Sequence, residues 1–156
     1  MGRLASRFDR LDRALTRYMA RYGVTLLRLS VGVVFLWFGF LKFFPGLSPA
    51  AGLATRTMHA LSFGLVPPST ALTVLALWEC AVGAGLILGV YLRATLFLLW
   101  LQMVGTVTPL FLFPQEVFSR LPYAPTLEGQ YIIKNLVLVS AGIVVGATVR
   151  GGRLRS

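Results

Sequence analysis

The sequence predicts an all-α integral membrane protein, a four-helix bundle preceded by an amphipathic interfacial helix, and three observations carry that prediction. The 156 residues are 56% hydrophobic and only 13% charged, with a mean hydropathy of +0.77, too apolar for a soluble domain of this size. Four apolar stretches of about 20 residues, enough to cross a bilayer as helix, alternate with segments rich in proline and glycine. The basic residues gather on one side of those stretches. The formal net charge is +10. Because its carriers flank apolar spans rather than cover a polar domain, the expected anionic partner is the bilayer and its headgroups, and nucleic acid is not expected.

Residues 1–22 come first. Leu4, Phe8, Leu11, Leu15, Tyr18 and Tyr22 recur three and four apart, with Arg3, Arg7, Arg10, Arg13, Arg17 and Arg21 on the other faces. That spacing is an amphipathic basic helix, expected to lie in the interface plane with its apolar side in the acyl chains. The basic start precedes an apolar stretch as long as a bilayer is thick, with no small-residue cleavage signal close behind, so it reads as a retained span and not a cleaved leader.

The four-span domain occupies residues 23–150. The first span, 24–44, ends where Pro45, Gly46, Ser48 and Pro49 break the helix. Residues 50–69 hold a weakly amphipathic piece around Met58, His59 and Leu61, expected as a short helix on the outer surface. The second span, 70–90, and the third, 93–113, are separated only by a tight turn, so they form an antiparallel hairpin. Residues 114–129 carry Pro122 and Pro125 and are expected to be extended. The fourth span, 130–149, stops at Gly151 and Gly152, and residues 151–156 form a basic tail. Eleven lysines and arginines fall on the side of the termini, against Lys42, Arg56, Arg120 and Lys134 on the other. The positive-inside rule puts both termini in the cytoplasm of a bacterial inner membrane protein.

Charge inside a span costs about 2.5–3.5 kcal/mol on insertion scales, so ionisable groups there are functional candidates. Glu79 lies about 15 Å along the second span, close to mid-membrane, and Gln102 reaches a similar depth on the third. Lys42 and Lys134 fall within the last turn or two on the outer side of their spans, where a long stem can snorkel out or point inward. Arg28, Gly32, Phe35, Gly39 and Lys42 form one stripe along the first helix, Arg28 at its inner end. Glu79 shares a face with Ala76 and Gly83, Gln102 with Thr106 and Pro109, and Asn135 with Gly142. If these seams converge, Lys42, Glu79, Gln102, Glu128, Lys134 and Asn135 border a polar pocket opening outward, with Trp37, Trp78 and Tyr131 as apolar walls. Pro109 is expected to loosen the helix and free the Gly105 carbonyl for a ligand. The alternative is that Glu79 pairs with a lysine solely to hold the bundle together. Cys80 and His59 are one of each type, too few for a disulfide framework or a metal site; they read as a packing residue and a surface residue.

The run Arg28-Leu-Ser-Val-Gly-Val-Val-Phe-Leu-Trp-Phe-Gly-Phe-Leu-Lys42 resembles the first-helix signature of the DoxX-like superfamily. Trp78-Glu79-Cys-Ala-Val-Gly83-Ala-Gly85, followed by Gly89 and Arg93, is similar to its acidic, glycine-rich second helix. The segments Phe44-Pro-Gly-Leu-Ser-Pro49 and Glu128-Gly-Gln-Tyr-Ile-Ile-Lys134-Asn135 resemble the YkgB-type branch, which includes a reactive-chlorine-resistance inner-membrane protein. The similarity covers residues 24–149. It implies a four-helix inner-membrane protein with Arg28, Lys42, Glu79, Glu128 and Lys134 as family-like polar residues, none with an established catalytic role. Superfamily relatives are associated with a thiosulfate:quinone oxidoreductase, oxidative-stress complexes, methylamine utilisation and receptor assembly, so the fold does not fix the activity.

Three functions stay open on the sequence. One is a stress-resistance component binding a quinone or other lipophilic molecule in the outward pocket, with the lysines on its oxygens and Glu79 handling protons. A second is a small transporter or proton-pathway subunit, which requires a homo-oligomer. The third is a scaffold that recruits a membrane protein partner. No complete catalytic constellation is present, so the chain is at most a membrane subunit of a redox system.

Overall fold

The computed structural model describes residues 2–49 and 51–152, with side-chain surroundings given from residue 8 onward. The side chains of Leu4, Arg3 and Arg7, and Arg153 and Arg155 of the tail, lie outside the described residues. The elements are α1 (Gly2–Leu41), α2 (Ala51–Leu61), α3 (Pro68–Leu88), α4 (Leu92–Val107), α5 (Pro109–Leu112), α6 (Pro114–Val117), β1 (Phe118–Arg120), β2 (Ala124–Pro125) and α7 (Leu127–Thr148). Among the described residues four helical stretches are long and apolar enough to cross a membrane: α1, α3, α4 continued by α5, and α7. The chain is an all-α membrane bundle.

Each boundary has a local cause. Pro68 opens α3 at its first turn, where a missing N–H is harmless. Gly89 closes it at φ 71°, in the left-handed conformation, and donates its N–H to the Gly85 carbonyl. Both ends of α3 lie two residues earlier than the sequence pattern suggests. Thr126 caps α7 by accepting from the Gly129 N–H at 3.2 Å, which starts this helix three residues early. Pro109 divides the third span, but the Gly105 carbonyl is not freed: the Thr108 N–H donates to it at 3.3 Å. Residues 114–125 are not simply extended. They form the short helix α6 and the antiparallel pair β1–β2, with Phe118 opposite Pro125 and Arg120 opposite Ala124.

The basic N-terminal segment and the first span are one unbroken helix of 40 residues. In the bundle α1 packs on α3, α3 on α4, α4 on α7 and α7 back on α1, closing a ring. The α1–α3 contact is the tightest. A Cβ on Gly39 would meet the Glu79 Cβ at 2.7 Å and the Cys80 nitrogen at 2.9 Å, and one on Gly83 would collide with the Leu36 backbone. The stripe drawn from the sequence along the first helix is thus the face that meets α3.

The core divides into two apolar clusters. At the end of the bundle where the termini lie, Val31, Phe35, Val82, Leu86, Leu96, Leu99, Met103, Ala141 and Val145 form the larger one. At the opposite, loop end, Leu53, Val117 and Ile132 form the smaller, packed against Leu110, Phe113 and Phe118. α2 supplies Leu53 to it and buries Thr57, so α2 is a packed part of the bundle as well as a surface helix.

Candidate functional site

Between the two clusters lies a polar layer. α3 is 21 residues long, about 31 Å, which matches a bilayer core of about 30 Å. Glu79 stands halfway along it, 8% exposed. Its Oε2 accepts from Lys42 Nζ at 2.5 Å and its Oε1 from Gln102 Nε2 at 2.8 Å. Lys42 and Gln102 are equally buried.

Lys42 is therefore not near the outer face, as span length alone suggests. α1 ends at Leu41, level with the middle of α3, because Lys42, Phe43 and Phe44 close i to i+3 turns onto the Gly39, Phe40 and Leu41 carbonyls. From Glu79, α3 continues another eleven residues, about 16 Å, to its start at Pro68. α2 packs against α3 in the height that α1 leaves uncovered. The lysine stem runs back toward its own helix, where Nζ also donates to the Phe38 carbonyl at 3.3 Å.

Hydrogen-bond capacity in this layer is not fully used. An ammonium has three donors, and Lys42 makes two contacts. Among the described residues Gln102 Oε1 is buried with no hydrogen-bond partner. The amide orientation is fixed by its neighbour, because only the NH₂ side can donate to the Glu79 carboxylate. An unmatched acceptor in a low-dielectric interior is costly.

Other expected members of the pocket lie elsewhere. Lys134 is exposed, and Nζ sits 5.4 Å from the Tyr131 ring centre, its stem directed along α7 toward the helix start as helical side chains are. Glu128 is exposed and Asn135 half-buried; neither joins the Glu79 group. Trp37 is 64% exposed on the outside of α1, in a shallow groove of about 410 Å³ with Val33, Leu36 and Phe40. Trp78 turns toward α4 and donates its indole N–H to the Leu98 carbonyl at 3.1 Å. The convergence of seams holds for α1, α3 and α4, and α7 adds no charge to it.

Arg28 acts at the other end of the same face. It donates to the Leu86 and Ile87 carbonyls, at 2.5 and 3.4 Å, satisfying acceptors that the last turn of α3 leaves open. A Cβ on Gly89 would come within 2.6 Å of this guanidinium. One pair escapes any reading of the sequence. Arg56 on α2 and Glu116 on α6 meet at 2.8 and 2.5 Å, tying the loop end together. The two are 60 residues apart in the chain, so no local spacing announces them.

The family model for DoxX matches residues 23–114, more than half of the chain. The chain belongs to the DoxX family. The matched segment contains Arg28, Lys42, Glu79 and Gln102, whereas Glu128 and Lys134 fall beyond it. No curated protein and no solved structure matches the chain. The membrane bundle read from the helices agrees with DoxX membership.

Proposed function

We propose that this DoxX-family protein binds the polar head of a lipophilic molecule of the quinone class at the Lys42–Glu79–Gln102 layer, as a component of oxidative or reactive-chlorine stress resistance. The observation that carries the reading is the buried, unpartnered Oε1 of Gln102 beside a lysine with an unspent donor. Both redox forms of such a molecule suit this chemistry. A quinone carbonyl accepts from Lys42, and a quinol hydroxyl donates to Gln102 Oε1. When bound, the group would supply two-electron, two-proton redox chemistry. The residues of this chain hold and orient its head, and Glu79 anchors both of its partners.

Resemblance to the YkgB-type branch supports the stress-resistance setting. The arginine asymmetry supports a bacterial inner membrane location with cytoplasmic termini. A second reading has its own support: the pair is closed at 2.5 Å, which suits a charge pair that only locks α1 against α3.

Calorimetric titration of the purified protein with decylubiquinol and decylubiquinone separates the two. Ligand binding predicts saturable uptake, with Gln102→Leu weakening quinol about tenfold, the loss of about one hydrogen bond in a dry site, and quinone less. No uptake by the parent protein, or equal affinity in Gln102→Leu, favours the locking role and sinks the proposal.

A further inference from the structure

The part of α1 that precedes the bundle is unused by the site above. Val24 and Leu27 are the first residues packed against the core, while every residue from Phe8 to Tyr22 is exposed. Residues 2–22 thus project as an arm about 31 Å long. Phe8, Leu11, Leu15, Tyr18 and Tyr22 form a continuous apolar stripe along it, 78%, 67%, 61%, 56% and 41% exposed. Arginines line the remaining faces: Arg13 pairs with Asp9 at 3.4 Å, Arg17 donates to the Arg13 carbonyl at 3.2 Å, and Arg21 covers the Tyr22 ring at 5.5 Å. The tyrosines sit at the end nearest the bundle, the depth at which aromatic belts meet headgroups.

Charge decides what covers the stripe. In residues 1–22 six arginines stand against two aspartates, a net charge of +4. The stripe's spacing would also suit a coiled coil with a second copy, but that would set two such charges side by side. An anionic lipid surface meets the stripe and the arginines together.

We propose that residues 2–22 are a hinged arm that turns at Gly23 and lies on an anionic lipid surface, stripe down and arginines among the headgroups. A straight helix of 40 residues is about 60 Å long, twice the bilayer core, so seating the arm on a lipid surface requires a turn where the helix leaves the bundle. Gly23, just before the core-packed Val24, stands there with nothing among the described residues within 4 Å of where a Cβ would be. The next glycine, Gly32, is locked against Ile87 and Gly83. The inference is independent of any ligand at Glu79.

The test uses the full-length protein with Cys80→Ala and a nitroxide on Leu11→Cys or, separately, Arg13→Cys. It is reconstituted in nanodiscs of phosphatidylcholine alone or doped with phosphatidylglycerol. In anionic discs the label at position 11 should lose collisions with a water-soluble nickel complex and gain them with oxygen, while the label at 13 stays in water. Raised salt, or glutamine at Arg10, Arg13 and Arg17 with the label at 11, should reverse the shift. Gly23→Ala, which meets no clash, should reduce it. The proposal falls if position 11 stays in water on anionic discs, if it is shielded equally on neutral discs, or if spin–spin broadening shows a second copy against it.

Discussion

The two ends of this bundle are built on different principles, and the polar layer marks the border between them. At the end near the termini, α1, α3, α4 and α7 run the full height, and glycines bring backbones together until Gly83 leaves no room for a methyl group. At the loop end α1 has stopped. Its place is taken by α2, by α6 and by a hairpin, around a three-residue cluster stapled by Arg56 and Glu116. The comparison teaches that Lys42 and Glu79 sit where a continuous helix pair gives way to a patchwork. Backbone geometry determines how deep the charges lie, and hydropathy alone misplaces one of them.

Breaking the border should have the largest effect. Lys42→Met leaves the Glu79 carboxylate buried with only Gln102 beside it, and should cost about 3–5 kcal/mol. The double variant Lys42→Met/Glu79→Leu should recover most of that loss, because two apolar side chains leave no buried charge. Unfolding by sodium dodecyl sulfate in mixed micelles reads both. Equal losses in single and double variants would mean that the pair is not what joins the two ends.

Close packing at the terminal end comes next. Gly83→Ala should cost about 1–3 kcal/mol by forcing α1 and α3 apart. Gly105→Ala is the contrasting substitution, since nothing among the described residues lies within 4 Å of the point a Cβ would occupy there; it should be neutral or stabilise by up to about 1 kcal/mol through helix propensity. If both glycines respond alike, the contrast in packing is wrong. The smallest effect belongs to the loop end. Arg56→Gln removes a pair whose side chains are 56% and 39% exposed, worth about 0.2–1 kcal/mol. Faster hydrogen exchange confined to α2 and α6, without a change in global unfolding, would match that figure.

Much of this is legible in the residues. Span count, the hairpin closed by Gly89 and the stripe from Arg28 to Lys42 follow from periodicity and from proline and glycine placement, which are local signals. Glu79 and Gln102 read as a mid-membrane pair because both lie near the centre of spans of known length. What is not legible depends on contacts distant in sequence. The staple between Arg56 and Glu116 and the orphaned Oε1 of Gln102 arise only when the chain is folded and its helices are set side by side. Hydropathy carries the first span to residue 44 because Phe43 and Phe44 are as apolar as the helix before them, although their backbone already turns.

The depth of the Lys42–Glu79 pair has a consequence for membrane voltage. Moving one elementary charge across 100 mV involves about 2.3 kcal/mol, yet the two opposite charges touch at one height and so are displaced together at no net electrical work. Drawing them apart by one helical turn along the membrane normal would gain only about 0.4 kcal/mol from such a field, far less than the contact it breaks. While it stays closed, the pair carries charge at the centre of the bundle and is itself indifferent to the potential across it.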